Sequence, residues 1–332
     1  CDQLILHPNV VNASDINEMP ANALYIEGSV LCRLIMGTVG IQPVRANQVL
    51  VLLHPHPDRV FTNLAMNAVN AARSSYGLNC PRVIEMDRPL VMRPDYTGSE
   101  RAAGSVEGFE NLCYLLDKYR GEYDAIAIAS VISTPLHYYS DYFWSDGDMV
   151  NPWGGVESML THTISSMYDK PSAHAPMLES QAVLDIETGV VDPRMAAEVI
   201  SVSFLQCVLK GLQRSPRIIR DPEVMRDPGV LTARDISCLV IPDGCLGLPT
   251  FAALEQGIPV IAVRENVNLM KNDLEALPWA RGQLHIVDNY WEAAGVLSAI
   301  RTGIEPSAVR RPLRSILLEQ TPTSLPMPEQ LH

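Results

Sequence analysis

The segment Asp124–Ile132 (DAIAIASVI) constrains the fold of this chain more than any other. After its aspartate it carries no charge, and apolar side chains fall on both faces, the pattern of a strand buried on both sides. Such a strand belongs to a parallel sheet covered by helices. The surrounding sequence supplies them. Gln48–Leu53 (QVLVLL) predicts a second buried strand, Thr62–Ser75 a helix with Leu64, Ala65, Ala68, Val69 and Ala72 on one face, and Arg82–Met86 the next strand. Ser105–Arg120 carries Val106, Phe109, Leu112, Cys113 and Leu116 at helical spacing. The grammar returns near the C-terminus, with strands at Cys238–Pro242, Pro259–Val263 and His285–Val287 and helices at Pro249–Gln256 and Trp291–Arg301. Gly257 stands where a helix end needs a positive φ, and Pro249 suits a first turn. Strands returning after helices predict an α/β fold with two lobes, each doubly wound (Rossmann-like) around a mainly parallel sheet. The expected division is an N-terminal lobe over 1–134 and an aromatic, glycine-rich loop with connecting helices over 135–200. A C-terminal lobe follows over 201–304, then a Pro-rich tail over 305–332.

The 332 residues suffice for about two domains. With 25 basic against 38 acidic side chains, the net charge of −13 argues against a nucleic-acid partner, which requires a basic face. No apolar run approaches the roughly 18 residues of a membrane span. Seven cysteines without CxxC spacing point to a reducing, cytoplasmic compartment rather than a disulfide framework. The sequence starts at Cys1 with no Met; the reading preferred here is a start further upstream. Processing that exposed Cys1 would instead make it an N-terminal nucleophile.

In parallel sheets ligands bind at the carboxyl ends of strands, where the unusual residues of this chain lie. His7, Asn9 and Asn12 follow an apolar start, and Glu27 follows Tyr25-Ile26. Thr97, Gly98 and Ser99 form a polar turn. Asn151, Gly154 and Gly155 open a helix whose backbone N–H groups suit phosphate or carboxylate, with Glu157 in its first turn. Glu157 equally suits the helix dipole alone, and His162, five residues on, shares its face poorly. His174 in SAHAP, read as a loop of small residues, has an approachable ring suited to acid–base work. Asp243, Gly244, Cys245 and Gly247 lie between a strand and a helix, where the dipole would favour a thiolate. Their layout looks like the second cysteine motif of cofactor-independent Asp/Glu racemases, with Leu246 in place of the usual Thr. Glu255–Ile261 is similar to the donor segment of two-lobed glycosyltransferases and sugar epimerases. Arg264 suits an anionic substrate or a structural pair with Asp243. His54 and His56 resemble the first metal motif of amidohydrolases, which makes zinc or another divalent metal the minority alternative to no cofactor.

Taken together, HPNVVNA, PNALYIEG, SAHAP, VSFLQCVLKG and VRENVN resemble the family recorded as domain-of-unknown-function 3326, found in cyanobacteria and plastid-bearing organisms. The likeness runs from Leu4 to about Gly303. Members carry a glycine-rich strand–loop segment upstream of the position of Cys1, so the resemblance implies that such a segment is lacking or lies upstream here. HPHPD and GCLGLP depart from the family pattern. An α/β fold is implied, without a reaction.

The function expected is that of an enzyme acting on a small anionic metabolite, a carboxylate or phosphate, by acid–base or cysteine-assisted chemistry: a lyase, isomerase or hydrolase. His174 or Glu27 would be the base, Cys245 a nucleophile or proton carrier, and Asp243 a further catalytic group. No GxGxxG or GxxxxGK[ST] loop is present, which disfavours dinucleotide and ATP chemistry. The alternatives are a nucleotide-sugar transferase or epimerase, and a non-catalytic metabolite-binding protein. A homo-oligomer is a mild expectation.

Overall fold

The structure, a computed structural model, describes residues 1–7, 19–145, 149–200, 203–313 and 315–320. Asn9 and Asn12 lie outside the described residues. The first elements are β1 (Leu4–Leu6), β2 (Ala23–Tyr25), α1 (Gly28–Ile35), β3 (Gly40–Gln42) and β4 (Gln48–Leu53). Next come α2 (Arg59–Tyr76), β5 (Asn79–Glu85), β6 (Val91–Tyr96), β7 (Ala102–Glu107), α3 (Phe109–Lys118) and β8 (Ala125–Val131). The middle of the chain forms α4 (Leu136–Trp144), α5 (Gly154–Tyr168), β9 (Ser172–Met177), α6 (Gln181–Leu184), α7 (Pro193–Ile200) and α8 (Leu205–Gln213). It ends with β10 (Arg217–Ile219), β11 (Leu239–Pro242), α9 (Leu248–Gln256), β12 (Val260–Val263), β13 (Leu284–Val287), α10 (Tyr290–Arg301) and α11 (Pro306–Val309).

The α/β class holds, with several parallel sheets. The largest runs β5-β4-β8-β9, all parallel, with β8 in full register against both neighbours. Strand alternation sorts its side chains. Val49, Val51, Leu53, Ala125, Ala127, Ala129, Ala173 and Ala175 form one core with α2 and α8. The alanines on that face leave room for α8 to lie close. Leu50, Leu52, Ile126 and Ile128 face the other way, against Leu112 and Leu116 of α3 and Val156, Leu160 and Ile164 of α5. Burying both faces of seven consecutive residues of β8 removes apolar surface from water, at about 25 cal/mol per Å².

A second parallel sheet runs β11-β12-β13, and β1 pairs in parallel with β2. Residues of β2, α1 and β3 share a core with Ile218 of β10, with Ala252 and Ala253 of α9 and with Val260 of β12. The antiparallel pair β3–β10 belongs to this core. Gly257 ends α9 with φ +69°, as its position requires.

Three local expectations are corrected. Ser105–Glu107 is not helical: it closes the hairpin β6–β7, and α3 starts only after Gly108. Leu112 and Leu116 lie on the buried face of α3 as expected, joined by Leu115, while Cys113 is half-buried and strand pairing claims Val106. Ser172–Met177 is β9 rather than a loop, because its small side chains pack along β8 and Pro176 sits on an edge strand. The aromatic segment read as a loop contains α4, fixed by packing of Tyr139 and Tyr142 on Trp153, with ring centroids 4.9 and 5.3 Å apart. No helix among the described residues is long and apolar enough to cross a membrane.

Candidate functional site

Where β2 gives way to α1, Ile26 still donates to Leu6 O of β1 at 2.8 Å, and Glu27 becomes the helix N-cap. Its carboxylate accepts from Ser29 N at 2.9 Å and from the Ser29 hydroxyl. The same carboxylate meets Nδ1 of His162 on α5. Glu27 is 1% exposed and His162 41%, so the imidazole is the open end of a buried pair. Gly28 makes this approach possible: a Cβ there would lie 3.0 Å from His162 Cε1 and 3.9 Å from His7 Nδ1. Two imidazoles and one carboxylate thus converge at the ends of β1 and β2. Burial lowers the His7 pKa to about 4, against the pull of Glu27 and helped by His162, so His7 is a neutral base at physiological pH.

A second constellation adjoins it. His174, inside β9, places Nδ1 2.8 Å from Glu157 Oε1 of α5 and Nε2 2.9 Å from Ser130 Oγ of β8. The Ser130 hydroxyl also donates to Met92 Sδ of β6 at 3.2 Å. His174 and Ser130 are buried; the Glu157 side chain is 25% exposed. The distances match a serine–histidine–carboxylate triad, yet Ser130 has no exposed surface, which keeps a substrate carbonyl from its oxygen. Tyr25 links the sets: burial raises its phenol pKa, and both Glu157 and Glu27 reinforce the shift.

The other candidates are dispersed. At the α5 start, Asn151 Oδ1 already accepts from Trp153 N at 2.9 Å and Gly154 N at 3.0 Å, so those groups are not open to an anion. Gly155 serves packing, since a Cβ there would lie 2.3 Å from the Ala102 carbonyl carbon. Thr97, Gly98 and Ser99 form the exposed tip of the β6–β7 hairpin, with the two hydroxyls 3.0 Å apart. Asp243, Gly244, Cys245 and Gly247 lie at the carboxyl edge of the second sheet. Asn268 and Asn272 close over that loop through Asp243 O and Gly244 O. Burial raises the Cys245 thiol pKa, opposite to the effect of a helix start alone. Arg264 reaches Asp288 at 3.1 Å and Asp243 at 3.8 Å, which realises its structural alternative.

His54 and His56 do not share a metal geometry. Their ring centroids are 6.2 Å apart, and His56 is held by Asp58 N at 2.9 Å and Leu178 O at 3.1 Å. His54 Nδ1 is buried without a hydrogen bond, and burial, with His56 adding to it, lowers its pKa to about 4. Among the described residues no group of three or more His, Cys, Asp or Glu is placed to hold a metal ion.

Ser130 is hidden in an apolar run of the sequence, and Tyr25 stands there only as the lead-in to Glu27. His162 was visible, but its partner lies 135 positions away. The five-residue spacing to Glu157 was informative: the two side chains leave α5 toward different partners.

The chain is similar to an uncharacterised lipoprotein of Synechococcus sp., 28% identical over 93% of this chain and 84% of the relative. No solved structure matches it. The family model for proteins of unknown function, DUF3326, matches residues 1–310. The chain belongs to that family.

Proposed function

We propose that the chain is an enzyme acting by acid–base chemistry, without a redox cofactor, on a small anionic metabolite bound beside His7, Glu27 and His162. The observation that carries this reading is the buried Glu27 carboxylate engaged by the half-exposed imidazole of His162, with neutral His7 alongside. In the reaction His7 takes a proton from the substrate, Glu27 orients and stabilises the imidazole of His162, and His162 faces the substrate anion. Proton removal beside a carboxylate or phosphate fits an isomerase or lyase. Cysteine assistance is the weaker branch, because the Cys245 thiol is held protonated. The two parallel sheets and their helices are read as two wound units, with this site at the end of β1 and β2.

The test follows proton exchange. A panel of small 2-hydroxy and 2-oxo acids and phosphate monoesters is incubated with the protein in D2O and monitored by proton NMR. The expected result is deuterium incorporation into one class, lost in His7→Gln and Glu27→Gln with the fold retained. Incorporation unchanged in both variants would overturn the assignment. For location, cysteines without a disulfide favour a reducing cytoplasm, whereas the name of the relative, carried over, would put the chain at a membrane. Fractionation of the native protein separates these readings.

A further inference from the structure

Two contacts at different heights tie α1 to α5. The first is Glu27 on His162. The second joins Arg33, in the last turn of α1, to Asp169, the residue that ends α5. It lies about 9 Å further along α1 and about 10 Å further along α5 at the helical rise per residue. His162, Ser166 and Asp169 follow one another on one face of α5 at helical spacing. Arg33 Nη2 donates to Ser165 O at 3.3 Å and Nε to Ser29 O at 3.4 Å, while Nη1 stands 3.5 Å from Asp169 Oδ1. From the other side Arg220, just past β10, donates through Nε to the same Oδ1 and through Nη2 to Ser166 O. Two guanidinium groups thus close on one carboxylate and satisfy carbonyls at the C-terminal end of α5.

Stability does not account for this clamp. Asp169 holds a left-handed backbone, φ 51° and ψ 41°, which is costly for a residue with a side chain. Arg33 Nη1 is buried without a hydrogen bond, a second cost. Arg220 sets a like charge beside it, and an ion pair as open as that of Arg220 returns little. The other end of α5 is fixed by wedging instead: the backbone at Gly155 rests on Ala102, and Val156 presses on Gly104. We infer that Arg33, backed by Arg220 through Asp169, is a positioning residue for His162: it sets how α5 stands against α1, and so whether the imidazole meets Glu27. Glu157 and His174, at the wedged end, do not depend on it. The consequence for turnover rests on the acid–base reading above; the placement of His162 does not.

The experiment compares Arg33→Lys and Arg33→Gln with the unaltered full chain by 15N NMR of the histidine ring nitrogens. The His162 and His174 signals are identified by their loss in His162→Gln and His174→Gln. The expected result is that the His162 signals move in both Arg33 variants while those of His174 stay. Lysine keeps the charge but not the planar fork that reaches Ser165 O and Asp169 together, so it should not rescue. Deuterium incorporation should fall about tenfold or more in both variants. Should Arg33→Gln fail to fold, Arg220→Gln, at a half-exposed side chain, releases Asp169 from the other side, and the same pattern is expected. His162 signals that stay in place, that return with Arg33→Lys, or that move together with those of His174 would each overturn the inference. Because the NMR readout needs no substrate, a failed deuterium-exchange test leaves this result standing, and the reverse also holds.

Discussion

Glu27 and His162 meet across the seam between α1 and α5, 135 positions apart, with the carboxylate buried and the imidazole open. That carboxylate has two duties, since it also caps α1 through Ser29 N. Glu27→Ala is therefore expected to destabilise the protein by about 2–3 kcal/mol: about 1 from the cap and the rest from polar groups left without their acceptor. Glu27→Gln keeps an acceptor oxygen and should cost about half as much. Urea unfolding of both variants checks this, and equal losses would remove the electrostatic part of the argument.

Two glycines give an internal contrast. Gly155→Ala pushes a methyl group to within 2.3 Å of the Ala102 backbone, where only displacement of α5 or β7 makes room. A loss of about 2–3 kcal/mol is expected. Gly98→Ala meets nothing within 4 Å and should change stability by less than about 0.5 kcal/mol. Melting temperatures of the two variants decide between them, and comparable shifts would mean that α5 and β7 make room for the methyl group at little cost.

Stability should fall in mild acid. His7 and His54 take up a proton near pH 6.5 when unfolded and only near pH 4 when folded. Across that window the unfolded state binds more protons, so stability is full above about pH 6.5 and drains away toward pH 4. For His7 the loss is about 2–3 kcal/mol at the acid end; His54, closer to solvent, adds less. Urea midpoints at pH 7.5, 6 and 5 measure the slope, and His7→Asn should flatten it. An unchanged slope in that variant would place the acid sensitivity elsewhere.

Thiol reactivity tests the second sheet edge. Cys1 is exposed, whereas burial raises the Cys245 thiol pKa. Iodoacetamide at pH 7 should alkylate Cys1 at least about tenfold faster than Cys245. Mass spectrometry of digests at early times reads the order. Rapid labelling of Cys245 would return it to the list of nucleophiles.

The parts of this fold legible in sequence are those whose burial is set by a single repeat. β4, β8, α2, α9, β12 and α10 lie within a few residues of their expected bounds, because an unbroken apolar run names the strands buried on both faces and a 3.6-fold repeat the helices. The hairpin β6–β7 and β9 escaped notice because their pairing depends on distant neighbours: β9 needs β8 at its side, and β7 needs α5 across Gly104 and Gly155. The site shows the same limit. His7, Glu27, Glu157 and His174 were visible as chemistry, but which carboxylate serves which imidazole depends on α5 lying between β9 and α1. Arg264 was read as an anion ligand or a partner of Asp243, and Asp288, its nearer partner, carried no signal.

The pairing of β3 with β10 has a consequence for biosynthesis. Gly40–Gln42 forms its ladder with Arg217–Ile219, and the Ser215 hydroxyl reaches the Tyr25 carbonyl across 190 positions. On the ribosome, the segment carrying Glu27 emerges long before the strand that clamps it. Through that interval β5-β4-β8-β9 has all its own strands in hand, while α1 has neither β10 nor α9 to lean on. The nascent chain thus holds every strand of that sheet while α1 still waits for its C-terminal supports.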